Sequence, residues 1–232
     1  MSCPACTAPV PADSTSCRFC RVALRFDASG PVIVHPELRA GSSICSIDLR
    51  HDTLPGEQAR IDLETLRVER TPLGAKVWLA ADRARTFPVW GVRMRDQSVR
   101  TRWTAHDAGV YGGVVARREP IGKAFTTYAF QVRPSDRVFR LVRTRGGSIV
   151  ECTAIVDWTP SEAVAPTGSP NELVLAARGG SLQGWVNGVG VTAVHDQSFG
   201  IGTPGLIFET SPAPKEGGCA TFEGLEICMV RA

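Results

Sequence analysis

The sequence is poor in lysine: 23 of its 26 basic residues are arginines, and the only lysines are Lys76, Lys123 and Lys215. Its formal net charge is only +3, which is too small to indicate a nucleic-acid partner by itself. We interpret the arginine excess mainly as a compositional bias. The alternative is an anion-binding face, because the guanidinium fork matches carboxylates and phosphates.

Long apolar runs are also missing. No stretch approaches the about 20 apolar residues that cross a bilayer, and no basic segment followed by an apolar one opens the chain. We therefore expect neither a membrane span nor a secretory signal. A reducing, cytoplasmic location fits the thiols clustered near the start, because closely spaced cysteines in that setting are metal ligands rather than disulfides.

Four of the eight cysteines, Cys3, Cys6, Cys17 and Cys20, form the pattern C-x₂-C-x₁₀-C-x₂-C. Zinc binds four thiolates tetrahedrally, and a two-residue gap lets one tight turn present both sulfurs of a pair. A segment of about 25 residues cannot build its own core, so the metal would fold it. The pattern predicts one structural zinc per chain in a closed site. Two disulfides or four unliganded thiols are the less favoured alternatives.

This segment resembles the short zinc ribbons found at the N-termini of many bacterial proteins. It departs from them after the second cysteine of each pair, where Thr7 and Arg21 replace the usual glycine. We predict a zinc ribbon over residues 1–26 and a second, larger domain over residues 27–232.

Short runs with alternating apolar residues recur about every ten residues beyond the ribbon, separated by glycine and proline. This period of two is typical of half-buried antiparallel strands in a sandwich or barrel. Asn187-Gly188 favours a two-residue type I′ hairpin turn. The best helical candidate is a single turn at 161–164. The clearest predicted strands are SVRTRWT (98–104), TTYAFQV (126–132) and VFRLVR (138–143).

From about residue 109 to 231 the order of features resembles the concanavalin A-like lectin/glucanase sandwiches, including their laminin-G-like relatives. The resemblance implies an all-β fold, an antiparallel jelly-roll β-sandwich, preceded here by the small zinc ribbon. It also implies a ligand on the concave face or at the rim loops. Residues 31–95 match less clearly, and whether they belong to the same sandwich stays open. The matching segments are YGGVVARRE (111–119), NELVLAARGGSLQGWVNG (171–188), HDQSFGIGTPGLIFE (195–209) and ATFEGLEICMV (220–230).

Glucanases of this fold carry their carboxylates in an E-x-D-x-x-E strand, in which alternate residues point into one cleft. No such run exists here, and Glu223 and Glu226 lack the spacing. We therefore predict no enzymatic activity. Distant carboxylates could still meet in space; those considered are Glu151, Asp157, Glu172 and Asp196. Trp185 is the first candidate for a sugar platform, and Arg117 and Tyr128 are weaker ligand candidates.

The favoured function is a non-catalytic recognition or assembly module, in which the sandwich binds a protein partner or a glycan and the zinc ribbon acts as an adaptor. One alternative is a nucleic-acid binder that uses the ribbon and the arginines. It is disfavoured because the ribbon offers only Arg18, Arg21 and Phe19. The other alternative is a glycoside-acting enzyme with an unfamiliar site.

Overall fold

The computed structural model describes residues 1–4, 8–12, 14–19, 23–27, 30–33, 38–55, 65–121, 124–146, 152–212 and 216–231. These residues form 16 strands and no helix. Accordingly, no helix in the described ranges could cross a membrane. A short hairpin, β1 (Leu24–Asp27) and β2 (Gly30–Ile33), precedes two large sheets.

One large sheet has six strands in the order β11-β10-β9-β8-β15-β6, and every neighbouring pair is antiparallel. Its strands are β6 (Ala84–Pro88), β8 (Val110–Ile121), β9 (Ala124–Arg133), β10 (Val138–Gly146), β11 (Cys152–Pro160) and β15 (Thr203–Thr210).

The other large sheet has eight strands. Seven follow the order β14-β13-β12-β7-β16-β5-β4, and the eighth, β3, pairs with β16 beyond the point where β5 ends. Its strands are β3 (Arg39–Asp48), β4 (Leu66–Thr71), β5 (Gly74–Leu79), β7 (Gln97–Ala105), β12 (Pro170–Arg178), β13 (Ser181–Val186), β14 (Val189–His195) and β16 (Gly218–Arg231).

The two sheets pack face to face around one hydrophobic core. Phe208 of the six-stranded sheet meets Phe222 of the eight-stranded sheet edge-on, with ring centroids 6.1 Å apart, and Trp103 stacks on Phe222 at 5.7 Å. The predicted all-β, antiparallel jelly-roll sandwich is confirmed. Of residues 31–95, those in β3 to β6 are strands of the two large sheets, whereas residues 31–33 belong to the separate β1–β2 hairpin.

The predicted alternation decides which side chains reach the core. On β7, Val99 and Trp103 are buried, whereas Arg100 and Arg102 between them are exposed. Because successive side chains of a strand point to opposite faces, these arginines lie on the outer face of the eight-stranded sheet.

The predicted hairpin at Asn187-Gly188 is confirmed. Asn187 has φ 50° and Gly188 φ 79°, and Val186 pairs with Val189 across the two-residue turn. At 161–164, the best helical candidate, the structure has a single hydrogen-bonded turn and no helix. β11 continues to residue 160, and Val164 N donates to Ser161 O at 3.1 Å.

The predicted zinc ligands are only partly within the described residues. Cys3 and Cys17 are buried, and antiparallel bridges join Ser2 to Pro9 and Ser16 to Ala23 on either side of the cysteine pairs. The other two ligands, Cys6 and Cys20, lie outside the described residues. The described residues contain no group of three or more metal-ligating side chains. The zinc site and the 1–26 domain boundary therefore stay predictions.

Candidate functional site

An open groove of about 590 Å³ lies on the outer face of the eight-stranded sheet. We call it the sheet groove. β7 runs along its floor between β12 and β16, and the end of β3 and the β4–β5 turn form its rim. Its lining consists of residues 46–48, 50, 72–73, 100–102, 172 and 223–226.

Three glutamates and two arginines alternate across the floor. Arg100 Nη2 lies 2.6 Å from Glu172 Oε2 of β12, and Arg100 Nη1 lies 3.6 Å from Glu226 Oε2 of β16. Arg102 Nε donates to Glu223 Oε1 at 3.1 Å. The hydrogen bond that Arg100 donates to Glu172 raises the pKa of Arg100. One guanidinium therefore separates two carboxylates that come from the strands on either side of it.

A β-bulge explains why both glutamates of β16 reach the groove. The register with β7 shifts between Phe222 and Gly224, and Phe222 and Leu225 are both buried in the core. A bulge adds one residue to a strand and so resets the alternation of faces. Glu223 and Glu226, three positions apart, consequently lie on the same outer face. The assumption that only alternate residues share a face was wrong at this point of the chain.

The rim of the groove is ordered by a local ion pair. Arg50 donates from Nε to Asp48 Oδ1 at 2.8 Å and from Nη2 to Asp48 Oδ2 at 2.7 Å. These hydrogen bonds lower the pKa of Asp48 to about 2. Asp48 is therefore ionised at neutral pH, and its pair with Arg50 stands at the rim of the groove.

A second polar cluster lies on the outer face of the six-stranded sheet. We call it the Glu209 cluster; its members are Tyr111, Gln131, Arg133, Arg140, Trp158 and Glu209. Gln131 Nε2 donates to Glu209 Oε1 at 2.9 Å, and Arg140 Nη2 donates to Glu209 Oε2 at 3.1 Å. Gln131 is fully buried and the Glu209 side chain is only 4% exposed.

The arginines of this cluster stack on its aromatic rings. Arg140 lies 4.5 Å from the ring centroid of Trp158 and 5.3 Å from that of Tyr111. Arg133 lies 4.7 Å from the Trp158 ring. Burial raises the pKa of Glu209, and its contacts with Arg140 and Gln131 only partly offset this effect. The Trp158 ring is therefore engaged by two arginines of its own chain.

The ligand candidates Arg117 and Tyr128 are structural. Arg117 is fully buried and donates from Nη1 to Gly179 O at 2.7 Å and Phe199 O at 2.8 Å; burial lowers its pKa. Tyr128 donates its hydroxyl proton to Asp196 Oδ1 at 2.6 Å, and burial raises its pKa. Both side chains join loops rather than line an open site.

Trp185 does point outward from β13, but it packs against Leu38, Ala176 and Val230. It is therefore partly covered. Of the four distant carboxylates considered from the sequence, Glu172 lines the sheet groove, Asp157 and Asp196 do not, and Glu151 lies outside the described residues.

No family model matches the chain, and no curated protein matches it. Solved structures match its fold. A protein of unknown function with a galectin-like fold from Bacillus subtilis is 11% identical with a TM-score of 0.59, over 83% of this chain and 98% of that one. The carbohydrate-binding module CBM66 from Bacillus subtilis is 15% identical with a TM-score of 0.55, over 71% and 92%. Crh5 transglycosylase in complex with NAG is 12% identical with a TM-score of 0.54, over 82% and 85%.

These structural neighbours define the class of fold: a galectin-like, concanavalin A-like jelly roll of the kind found in carbohydrate-binding modules and in enzymes of glycan chemistry. They correct two predictions. The favoured non-catalytic module that binds a protein partner or a glycan and the prediction of no enzymatic activity are both contradicted, because this fold is shared with a transglycosylase. The negative prediction rested on strict alternation along β16, which the bulge breaks.

Proposed function

We propose that the protein acts on a glycan bound in the sheet groove, with Glu172 and Glu226 as its pair of carboxylates. The observation that carries this proposal is their shared contact with Arg100, from strands on opposite sides of β7, in a groove open to solvent. The likeness of the fold to a transglycosylase and to a carbohydrate-binding module supports a glycan as the ligand class.

Glycosidic bonds are cleaved by two carboxyl groups, about 5–5.5 Å apart in retaining enzymes and about 6.5–9.5 Å apart in inverting ones. β12 and β16 flank β7, so their backbones are about 9.5 Å apart, two strand spacings. Since Glu172 and Glu226 contact opposite ends of the Arg100 guanidinium, their carboxylates fit the wider separation. The proposed outcome is inversion at the anomeric carbon.

We assign the two roles from the arginine contacts. Glu172, which lies 2.6 Å from Arg100, is the proposed general base on water. Glu226, at 3.6 Å from the same guanidinium, is held less tightly and is the general acid for the leaving oxygen. Arg102 and Glu223 lie beside this pair and offer donors and an acceptor to sugar hydroxyls.

The test is turnover of soluble oligosaccharides of mixed-linkage glucan and of chitin, followed by product analysis and anomeric configuration. Glu172→Gln and Glu226→Gln should each lower turnover by about 100-fold or more, the usual contribution of a general acid or base. Glu69→Gln, an exposed glutamate of β4 outside the groove, should leave turnover unchanged. Absence of turnover and binding across the panel contradicts the proposal, as does turnover that survives both groove substitutions.

We also propose that the N-terminal segment holds one structural zinc through Cys3, Cys6, Cys17 and Cys20. The burial of Cys3 and Cys17 supports it. The hairpin-like hydrogen bonds around each pair also support it: Cys3 N donates to Ala8 O at 2.8 Å, and Leu24 N donates to Thr15 O at 2.9 Å. Bound zinc would supply the stability that such a short segment lacks.

A further inference from the structure

Trp90 is an exposed tryptophan, with 59% of its surface accessible. It lies in the turn after β6, at an edge of the six-stranded sheet and away from the sheet groove. Tryptophan combines a large apolar ring with a polar N–H and is usually largely buried. Its exposure here therefore requires an explanation.

The turn that carries Trp90 is fixed at both ends. Val92 N donates to Val89 O at 3.3 Å, and Gly91 has φ 88°, the combination expected for glycine in a type II turn. Val89 N donates to Pro204 O at 2.9 Å, and Val89 is buried in the core. The indole is thus presented by a well-anchored turn rather than by a loose loop.

Arg118 of β8 positions the ring. Its guanidinium lies 5.6 Å from the Trp90 ring centroid and 4.4 Å from that of Phe125. Its Nε donates to Thr86 Oγ1 at 3.2 Å, and burial lowers its pKa. The guanidinium therefore packs on the indole from the protein side, and the remaining exposed surface of the ring faces solvent.

We propose that Trp90, packed against Arg118, forms a second glycan-contact site, on which a sugar ring stacks its C–H face against the exposed side of the indole. The inference rests on the proposed function for its ligand class, a glycan. This second site lies outside the sheet groove. It would hold a long polysaccharide on the protein while the polysaccharide is cleaved in the groove.

The experiment compares retention on insoluble mixed-linkage glucan and chitin with turnover of the short soluble oligosaccharides. Trp90→Ala should weaken retention by about tenfold or more and leave the turnover of short substrates unchanged. Trp90→Phe should retain part of the affinity for the polysaccharide, because a phenyl ring can also stack on a sugar. The fluorescence change that binding causes at Trp90 should be lost in this variant. Ile44→Ala, an exposed apolar side chain of β3, is the control and should change neither quantity.

The outcomes separate this inference from the proposed function. Retention unaffected by Trp90→Ala, together with turnover lost in Glu172→Gln, overturns the inference and leaves the function standing. Retention lost in Trp90→Ala without turnover of any substrate supports the inference and overturns catalysis in the groove. If neither polysaccharide is retained and no oligosaccharide is turned over, both fall.

Discussion

The buried pair of Arg140 and Glu209 leads to a specific prediction about stability. Replacing Arg140 with Met keeps an apolar stem over Trp158 but removes the guanidinium that lies 3.1 Å from Glu209 Oε2. The two side chains are only 17% and 4% exposed, so solvent screens the lost contact little. Removing one partner of a buried ion pair costs about 3–5 kcal/mol. In a domain of this size such a loss lowers the melting temperature by roughly 10 °C.

The cost should depend on pH in a defined direction. Burial already raises the pKa of Glu209 above 4.5, and Arg140 opposes that rise; without Arg140 the pKa rises further. A carboxyl whose pKa is raised in the folded state binds more protons in the folded than in the unfolded protein. The free energy of unfolding therefore falls as the pH rises from the unfolded-state pKa through the folded-state pKa. The penalty should therefore be larger at about pH 8 than at about pH 5. Urea unfolding at both values measures it.

Two further variants test the reasoning. In Arg140→Met combined with Glu209→Gln, the buried charge is gone, and most of the loss at about pH 8 should be recovered. Arg133→Met removes a guanidinium from the same Trp158 ring, but its partner Asp136 is largely exposed, so its cost should stay below about 1 kcal/mol. If Arg133→Met costs as much as Arg140→Met, or the cost of Arg140→Met is independent of pH, stacking rather than charge pairing explains the cluster.

Two shorter predictions follow from the local structure. Gly188→Val should destabilise the sandwich by about 1–2 kcal/mol in urea unfolding, because Gly188 has φ 79°, which a β-branched residue adopts only with strain. An added Cβ would meet no neighbouring atom, so the cost is one of backbone conformation. An unchanged midpoint would show that the turn tolerates a β-branched residue. The protein purified without chelator should contain about one zinc per chain by elemental analysis. Cys17→Ser should remove the metal and Cys45→Ser should not; a metal-free wild-type protein contradicts the zinc proposal.

The fold could be predicted from the sequence because its information is local. On β7 each core residue is two positions from the next, and Val99 and Trp103 are buried as the alternation requires. The Asn187-Gly188 turn could also be predicted from the sequence, because a type I′ turn has positive φ at both central residues and Asn and Gly are favoured there. The order of such strands, compared with a known family, was enough to indicate the jelly roll.

The candidate site could not be predicted in the same way. Glu172 and Glu226 meet at Arg100 only because β12 and β16 pair with opposite edges of β7, which is a property of topology. The bulge after Phe222 brings Glu223 to the same face, and Gly224 is its one local signal. Glu209 follows an apolar run, and its neighbours along the chain do not indicate that Gln131 and Arg140 are its hydrogen-bond partners.

The divided pairing of β16 has a consequence for how the chain folds. One edge of this strand pairs with β7, while the other pairs first with β5 and then with β3; Ile47, for example, lies opposite Leu225. During synthesis β3, β5 and β7 leave the ribosome long before the strand that joins them. Contacts between residues so far apart in sequence slow folding. Until β16 arrives, the edges of those strands are exposed to pairing with other chains, so the nascent protein should depend on chaperones during that interval.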